Sequence, residues 1–133
     1  MKHLKKSFYL LFLFILISNL SLAQKDKKTP SKYDIQGPYC SGLAKVKSKG
    51  KWGYINKAGN EVVKPKYIQV ENFDGGIARV RGQKGWGLID TTGTVILMTE
   101  FNYISEFVDG KATVRMISGE ETQVNRKGQK IGK

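Results

Sequence analysis

The chain has 133 residues, with 23 Lys+Arg against 11 Asp+Glu for a formal net charge of +12, and it holds one Cys and one His. The histidine is His3, inside an N-terminal leader, so the mature chain has no imidazole for a Ser-His-Asp triad, a proton shuttle or a typical zinc site. Cys40, the lone thiol, can form no internal disulfide and lacks a histidine to activate it.

The first 23 residues read as a signal peptide. Lys2, Lys5 and Lys6 form a positive n-region, and Phe8 to Ile17 is an apolar run of 10 residues. A helix needs about 20 apolar residues to span a bilayer, so the run fits a leader better than an anchor. Ser21 and Ala23 stand at the −3 and −1 positions of a cleavage site, which predicts a mature chain of 110 residues from Gln24. The expected location is periplasmic or secreted. Removal of three lysines leaves 20 Lys+Arg against 11 Asp+Glu, a net charge of +9. Residues 24–32, QKDKKTPSK, contain no apolar side chain and read as a basic flexible linker.

From residue 33 onward the chain repeats itself. Tyr33, Tyr67 and Phe101 recur every 34 residues, as do Tyr39, Phe73 and Phe107, then Ala44, Ala78 and Ala112, then Val46, Val80 and Val114. A fixed period of this size is the mark of a repeat architecture. The units are 33–66, 67–100 and a partial 101–133. In each, a short segment alternates apolar and cationic residues (GLAKVK at 42–47, GIARVR at 76–81, GKATVR at 110–115), the period of two expected of a half-buried strand. A turn leads to a second strand, WGYIN or WGLID. Then NKAGN, DTTGT and NRKGQ place Asn or Asp three residues before Gly59, Gly93 and Gly128. That spacing fits a type I turn whose Gly takes a positive φ. β-Branched segments at 61–65 and 94–98 follow as third strands, with Pro65 suited to an edge or a bulge. The predicted fold is all-β: a short open array of tandem antiparallel hairpin or meander repeats, stacked like a solenoid.

Lys51-Trp52-Gly53-Tyr54-Ile55-Asn56 with Gly59 and Pro65-Lys66-Tyr67, and the second copy Gly85-Trp86-Gly87-Leu88-Ile89-Asp90, resemble the WG (or KWG) repeat of bacterial proteins. The resemblance runs from about Tyr33 to Lys133. It implies a β-rich repeat fold and carries over no catalytic activity, cofactor or metal. Two departures stand out. The third copy has Glu121-Thr122 in place of Trp-Gly, with one extra residue before Gly128, and the second has LMTEF in place of the Pro-Lys-Tyr ending. The third copy is either a polar cap or a decayed unit.

The structural signature is therefore Trp52, Gly53, Gly59, Trp86, Gly87, Gly93 and Gly128. Trp52 and Tyr54 share one face of their strand, and Gly53 and Ile55 the other, so each glycine leaves room for a neighbouring backbone or ring. The indoles are expected in the core between repeats; the alternative is an exposed aromatic platform. Lys45, Lys47, Arg79, Arg81 and Arg115 fall at matching places on the first strand of each unit and form a candidate anion-binding stripe on an expected solvent face. Carboxylates for glycoside hydrolysis would have to come from Glu120, Glu121, Asp74, Asp90 or Asp109, which read as solvated turn residues. Cys40 reads as a buried filler or an intermolecular half-cystine.

These readings converge on an exported, non-catalytic binding module without a cofactor. Its expected partner is an acidic polysaccharide, an anionic membrane surface or an acidic protein, with export arguing against nucleic acid. A carboxylate-dependent carbohydrate-active enzyme and a structural envelope spacer are the alternatives.

Overall fold

The computed structural model describes residues 31–132. The expected leader, its cleavage site and most of the linker lie outside the described residues. Within them the chain forms eleven strands and no helix: β1 (Ile35–Cys40), β2 (Leu43–Ser48), β3 (Lys51–Asn56), β4 (Glu61–Tyr67), β5 (Gln69–Val70), β6 (Ile77–Arg81), β7 (Trp86–Asp90), β8 (Val95–Ile104), β9 (Lys111–Met116), β10 (Glu121–Asn125) and β11 (Lys130–Ile131). They pair in chain order as two antiparallel sheets, β1 to β4 and β5 to β11. The fold is thus the all-β repeat array that the 34-residue period predicts.

Local chemistry explains the turns. Lys49 and Gly50, at φ 49° and 78°, connect β2 to β3, and positive φ at both central residues is the type I′ geometry that matches strand twist. After β3, β7 and β10 the turn is held from within. The side-chain oxygen of Asn56 accepts from the Asn60 amide at 2.9 Å, that of Asp90 from Thr92 and Thr94, and that of Asn125 from Lys127 and Gln129. Gly59, Gly93 and Gly128 close these turns at φ 82°, 84° and 76°.

The first and second copies differ where the third strand runs into the next unit. Between Tyr67 and Gln69 the strand breaks, and the break divides the two sheets. The equivalent stretch of the second copy, free of proline, continues as the ten-residue β8 and joins the second and third copies in one sheet. Pro65 lies in β4, an edge strand with a register shift opposite β3, so its missing N–H breaks no inner ladder.

The first and second units each present two apolar faces. Leu43, Tyr54 and Val63 of the first unit pack with Tyr67, Ala78, Val80 and Ile89 of the second. Ile77 and Leu88 of the second pack in turn with Ile104, Ala112, Val114 and Val124 of the third. Ala44, Val46 and Ile55 cluster with Tyr33 on the opposite face of the first unit. In the third unit the register sets Glu121 opposite Arg115 and Thr122 opposite Val114, as Trp86 stands opposite Arg81 and Gly87 opposite Val80. Its forward face is polar: Lys111, Glu121 and Gln123, all exposed, occupy the places of Ile77, Trp86 and Leu88.

Candidate functional site

The Trp-Gly pair has a specific geometric cause. Trp52 stands opposite Tyr67 while Tyr54 stands opposite Val63, so two steps along β3 match four along β4. The surplus backbone bulges over Gly53. A Cβ there would collide with the Val63 carbonyl and stand 2.7 Å from Pro65 N. The second copy repeats this: Trp86 faces Phe101, Leu88 faces Leu97, and a Cβ on Gly87 would lie 2.5 Å from the Leu97 oxygen. At Thr122 a side chain is accommodated, and β11 pairs with Gln123 and Val124. Gly93 and Gly128 carry a second constraint beyond their φ. A Cβ on Gly93 would lie 2.9 Å from the Val62 oxygen, and one on Gly128 would lie 2.8 Å from the Ile96 oxygen, so these turns abut the third strand of the preceding unit.

The two tryptophans fall between the two expectations. Both are half-buried, Trp52 against the core shared by the first two units and Trp86 against that shared by the second and third. The ammonium of Lys47 sits 5.4 Å from the Trp52 ring centre. Full burial falls instead to Tyr54, whose hydroxyl donates to the Glu71 carbonyl at 2.5 Å and whose ring meets Phe73 edge-on at 4.8 Å. Burial, chiefly, pushes this hydroxyl far above the usual tyrosine range.

The five-residue cationic stripe does not form an open row. Lys45 and Lys47 share a strand face with Leu43, and Arg79 and Arg81 with Ile77, and that face packs onto the following unit, whereas Arg115 lies on the exposed face of the third unit. Arg79 is drawn into the junction: Nε donates to Glu71 at 2.6 Å, Nη1 to the Ile104 carbonyl at 2.9 Å, and Nη2 stands 3.9 Å from Glu106. Arg115 pairs with Glu121 at 2.6 Å and lies over the Tyr103 ring. Both are neutralised where they stand. Lys45 is half-buried opposite Tyr54, and Arg81 is exposed opposite Trp86.

Cations with no ion-pair partner among the described residues concentrate in the first unit. Residues 33–66 carry Lys45, Lys47, Lys49, Lys51, Lys57, Lys64 and Lys66 against Asp34 and Glu61, whereas residues 67–100 carry Arg79, Arg81 and Lys84 against Glu71, Asp74, Asp90 and Glu100. Four of the seven lysines, at 45, 47, 49 and 51, lie on or at the tip of the β2–β3 hairpin. Glu61 is taken by Lys32 at 2.8 Å and by the Tyr33 hydroxyl at 2.9 Å; these two hydrogen bonds hold its carboxyl below the ordinary range.

Carboxylates do meet in one cleft, of about 310 Å³, lined by Glu71, Asp74, Arg79, Ser105, Glu106 and Phe107 among others. Of the carboxylates singled out from the sequence only Asp74 is there. Asp90 is spent on its turn, where the Thr92 hydroxyl and then main-chain amides hold its carboxyl below the usual range. Glu121 is spent on Arg115, and Glu120 and Asp109 are exposed. Glu71 and Glu106 escaped notice because they occupy no repeated column; Glu71 precedes Phe73 by two residues where the third copy has Ser105 before Phe107. Cys40 is a half-buried free thiol, and no group of His, Cys, Asp and Glu among the described residues could hold a metal ion.

The family model described as "WG containing repeat" matches residues 52–85 and 86–116. Residues 52–116 are two WG repeats. Each matched WG repeat begins at its tryptophan, so it spans the second strand of one unit through the first strand of the next and includes the bulge over Gly53 or Gly87. No curated protein and no solved structure gives a match.

Proposed function

We propose that this WG repeat chain is an exported, non-catalytic interaction module that contacts an acidic envelope polymer or an acidic protein. What carries the reading is the lysine surplus of the first unit, which no carboxylate offsets at the β2–β3 tip apart from Asp34, whose side chain accepts from the Lys49 amide at 2.9 Å. A repeat stack offers an extended surface rather than an enclosed site, and interaction through such surfaces is what repeat arrays commonly do. Capture from envelope extract on the immobilised protein, at low and at high salt, tests it. An acidic partner retained at low salt and released at high salt is expected; retention indifferent to salt counts against it.

A second reading has one observation in its favour. Glu71, Asp74 and Glu106 line the same cleft, as a carboxylate-dependent carbohydrate-active enzyme would require. Against it, Arg79 engages Glu71 and approaches Glu106, which leaves neither carboxylate standing alone. Release of reducing sugar from soluble polysaccharides, lost on Glu106→Gln, would favour this second reading over the first.

A further inference from the structure

We propose that the tip of the β2–β3 hairpin, together with the adjoining end of β4, is a binding site for a carboxylated polysaccharide. Lys47, Lys49, Lys51 and Lys66 are its cations. The inference rests on the acidic-partner reading above and gives it a place and a ligand class.

The register assembles the site. Lys47 stands opposite Trp52, Trp52 stands opposite Tyr67, and Lys66 is the next residue along β4. Each of these two lysines has an aromatic face beneath it: Lys47 Nζ lies 5.4 Å from the Trp52 ring centre and Lys66 Nζ 5.2 Å from that of Tyr67. A ring holds an ammonium on one side and leaves its remaining donors pointing outward. Neither lysine forms an ion pair among the described residues. Later units lose this character. The second has Arg81, Trp86, Phe101 and Glu100 at the matching places, and the third has Arg115 closed by Glu121.

Spacing and residue type narrow the ligand. Lys47 and Lys66 lie on strands two sheet spacings apart, roughly 10 Å, a separation that a chain with repeated charges can follow. Like charges held on neighbouring strands repel, and a bound polyanion relieves that repulsion. The cations of this unit are all lysines, point charges that lack the fork arginine offers to carboxylate and phosphate alike, so a flexible chain of separate charges suits them and a phosphate polymer is one outcome the test distinguishes. The tip, Lys47-Ser48-Lys49-Gly50-Lys51, has no apolar side chain to enter a lipid surface. A shallow cavity of about 290 Å³ adjoins Lys66 and Tyr67 and reaches Met98, giving the polymer a contact beside its charges.

The test compares two double variants that remove equal charge: Lys47→Gln with Lys66→Gln, and Lys111→Gln with Lys127→Gln, both exposed lysines of the third unit. Binding to polygalacturonate, dextran, phosphatidylglycerol vesicles and a single-stranded oligonucleotide is measured at low salt. The protein is expected to bind polygalacturonate and not dextran, and the first pair to weaken that binding about five- to tenfold while the second changes it less than about twofold. In a Trp86→Phe background, where emission comes from Trp52, polygalacturonate should shift the fluorescence. Equal losses from both pairs, preference for vesicles or oligonucleotide, or unchanged Trp52 emission would each overturn the site while leaving an acidic partner in place. Absence of binding to every acidic probe would remove the broader reading as well.

Discussion

The Arg79 guanidinium donates to the main-chain oxygen of Ile104 across 25 positions of sequence, at 2.9 Å, while its other edge is held by Glu71. One side chain thereby ties the first strand of the second WG unit to the strand that begins the third. Its neighbour two residues on, Arg81, has no ion-pair partner among the described residues. Two cations that look alike in sequence therefore have different tasks.

Glycine at the Trp-Gly positions should be irreplaceable for a backbone reason. A Cβ at Gly53 or Gly87 meets carbonyl and amide atoms of the bulged strand, which cannot move aside as a flexible side chain could. Gly53→Ala and Gly87→Ala are each expected to cost about 1–3 kcal/mol, the range for forcing atoms into a filled space. The matching position of the third unit already holds Thr122, so Thr122→Ala should change stability by less than about 0.5 kcal/mol. Chemical denaturation of the three variants provides the check, and equal effects at all three would refute the bulge argument.

The same contrast shows what could be read before the structure. Alternation of Ala44 and Val46 with Lys45 and Lys47 marks a strand with two distinct faces, and Asn56 three residues before Gly59 marks its turn chemistry, because both are local properties of the chain. What covers each face is not local. Lys45 shares its face with Leu43, and only the stacking of the next unit turns that face into a junction. The bulge over Gly53 likewise depends on register between β3 and β4, although the Trp-Gly pair already signalled that something close needed room. Glu71, the partner that disarms Arg79, lies in no repeated column, so the period that revealed the fold concealed the ion pair.

Tryptophan emission should report partial exposure. Trp52 and Trp86 each pack one side on a core cluster and leave the other toward solvent. Emission between that of a buried and a free indole is expected, with incomplete quenching by acrylamide. Trp86→Ala should cost somewhat less than the roughly 3–5 kcal/mol of a fully buried aromatic. Quenching equal to that of free tryptophan would contradict this packing.

Acid should loosen the turn at Asp90. The Thr92 hydroxyl, then the Thr92, Thr94 and Gly93 main chain, hydrogen-bond the ionised carboxylate and hold its folded pKa below the ordinary value. A depressed folded pKa means that the stabilisation is fully present above the unfolded value of about 3.9 and is lost as pH falls through the folded one. Asn56 and Asn125 make the equivalent turns without ionising. Asp90→Asn should therefore keep the fold near neutral pH and flatten the loss of stability below about pH 4. Thermal melts of both proteins from pH 2 to pH 7 would show it; parallel curves would mean that this carboxylate does not couple to folding.

Arg79→Gln and Arg81→Gln separate structure from binding. Arg79 is 23% exposed and bonded to both a carboxylate and a carbonyl, so shortening it leaves Glu71 without its counter-ion and the Ile104 oxygen without that donor. A hydrogen bond to a charged group is worth about 1.5–3 kcal/mol, and partial exposure places the expected loss for Arg79→Gln near the lower end, about 1–2 kcal/mol. Arg81 is exposed and has no ion-pair partner among the described residues, so its replacement should move stability by less than about 0.5 kcal/mol. Neither lies at the lysine-rich tip of the first unit, and neither change should weaken polyanion binding as much as Lys47→Gln with Lys66→Gln. Denaturation midpoints and polygalacturonate titrations on the same samples decide the matter. If Arg79→Gln left stability intact and abolished polyanion binding, Arg79 would be a ligand contact and not a tie between units.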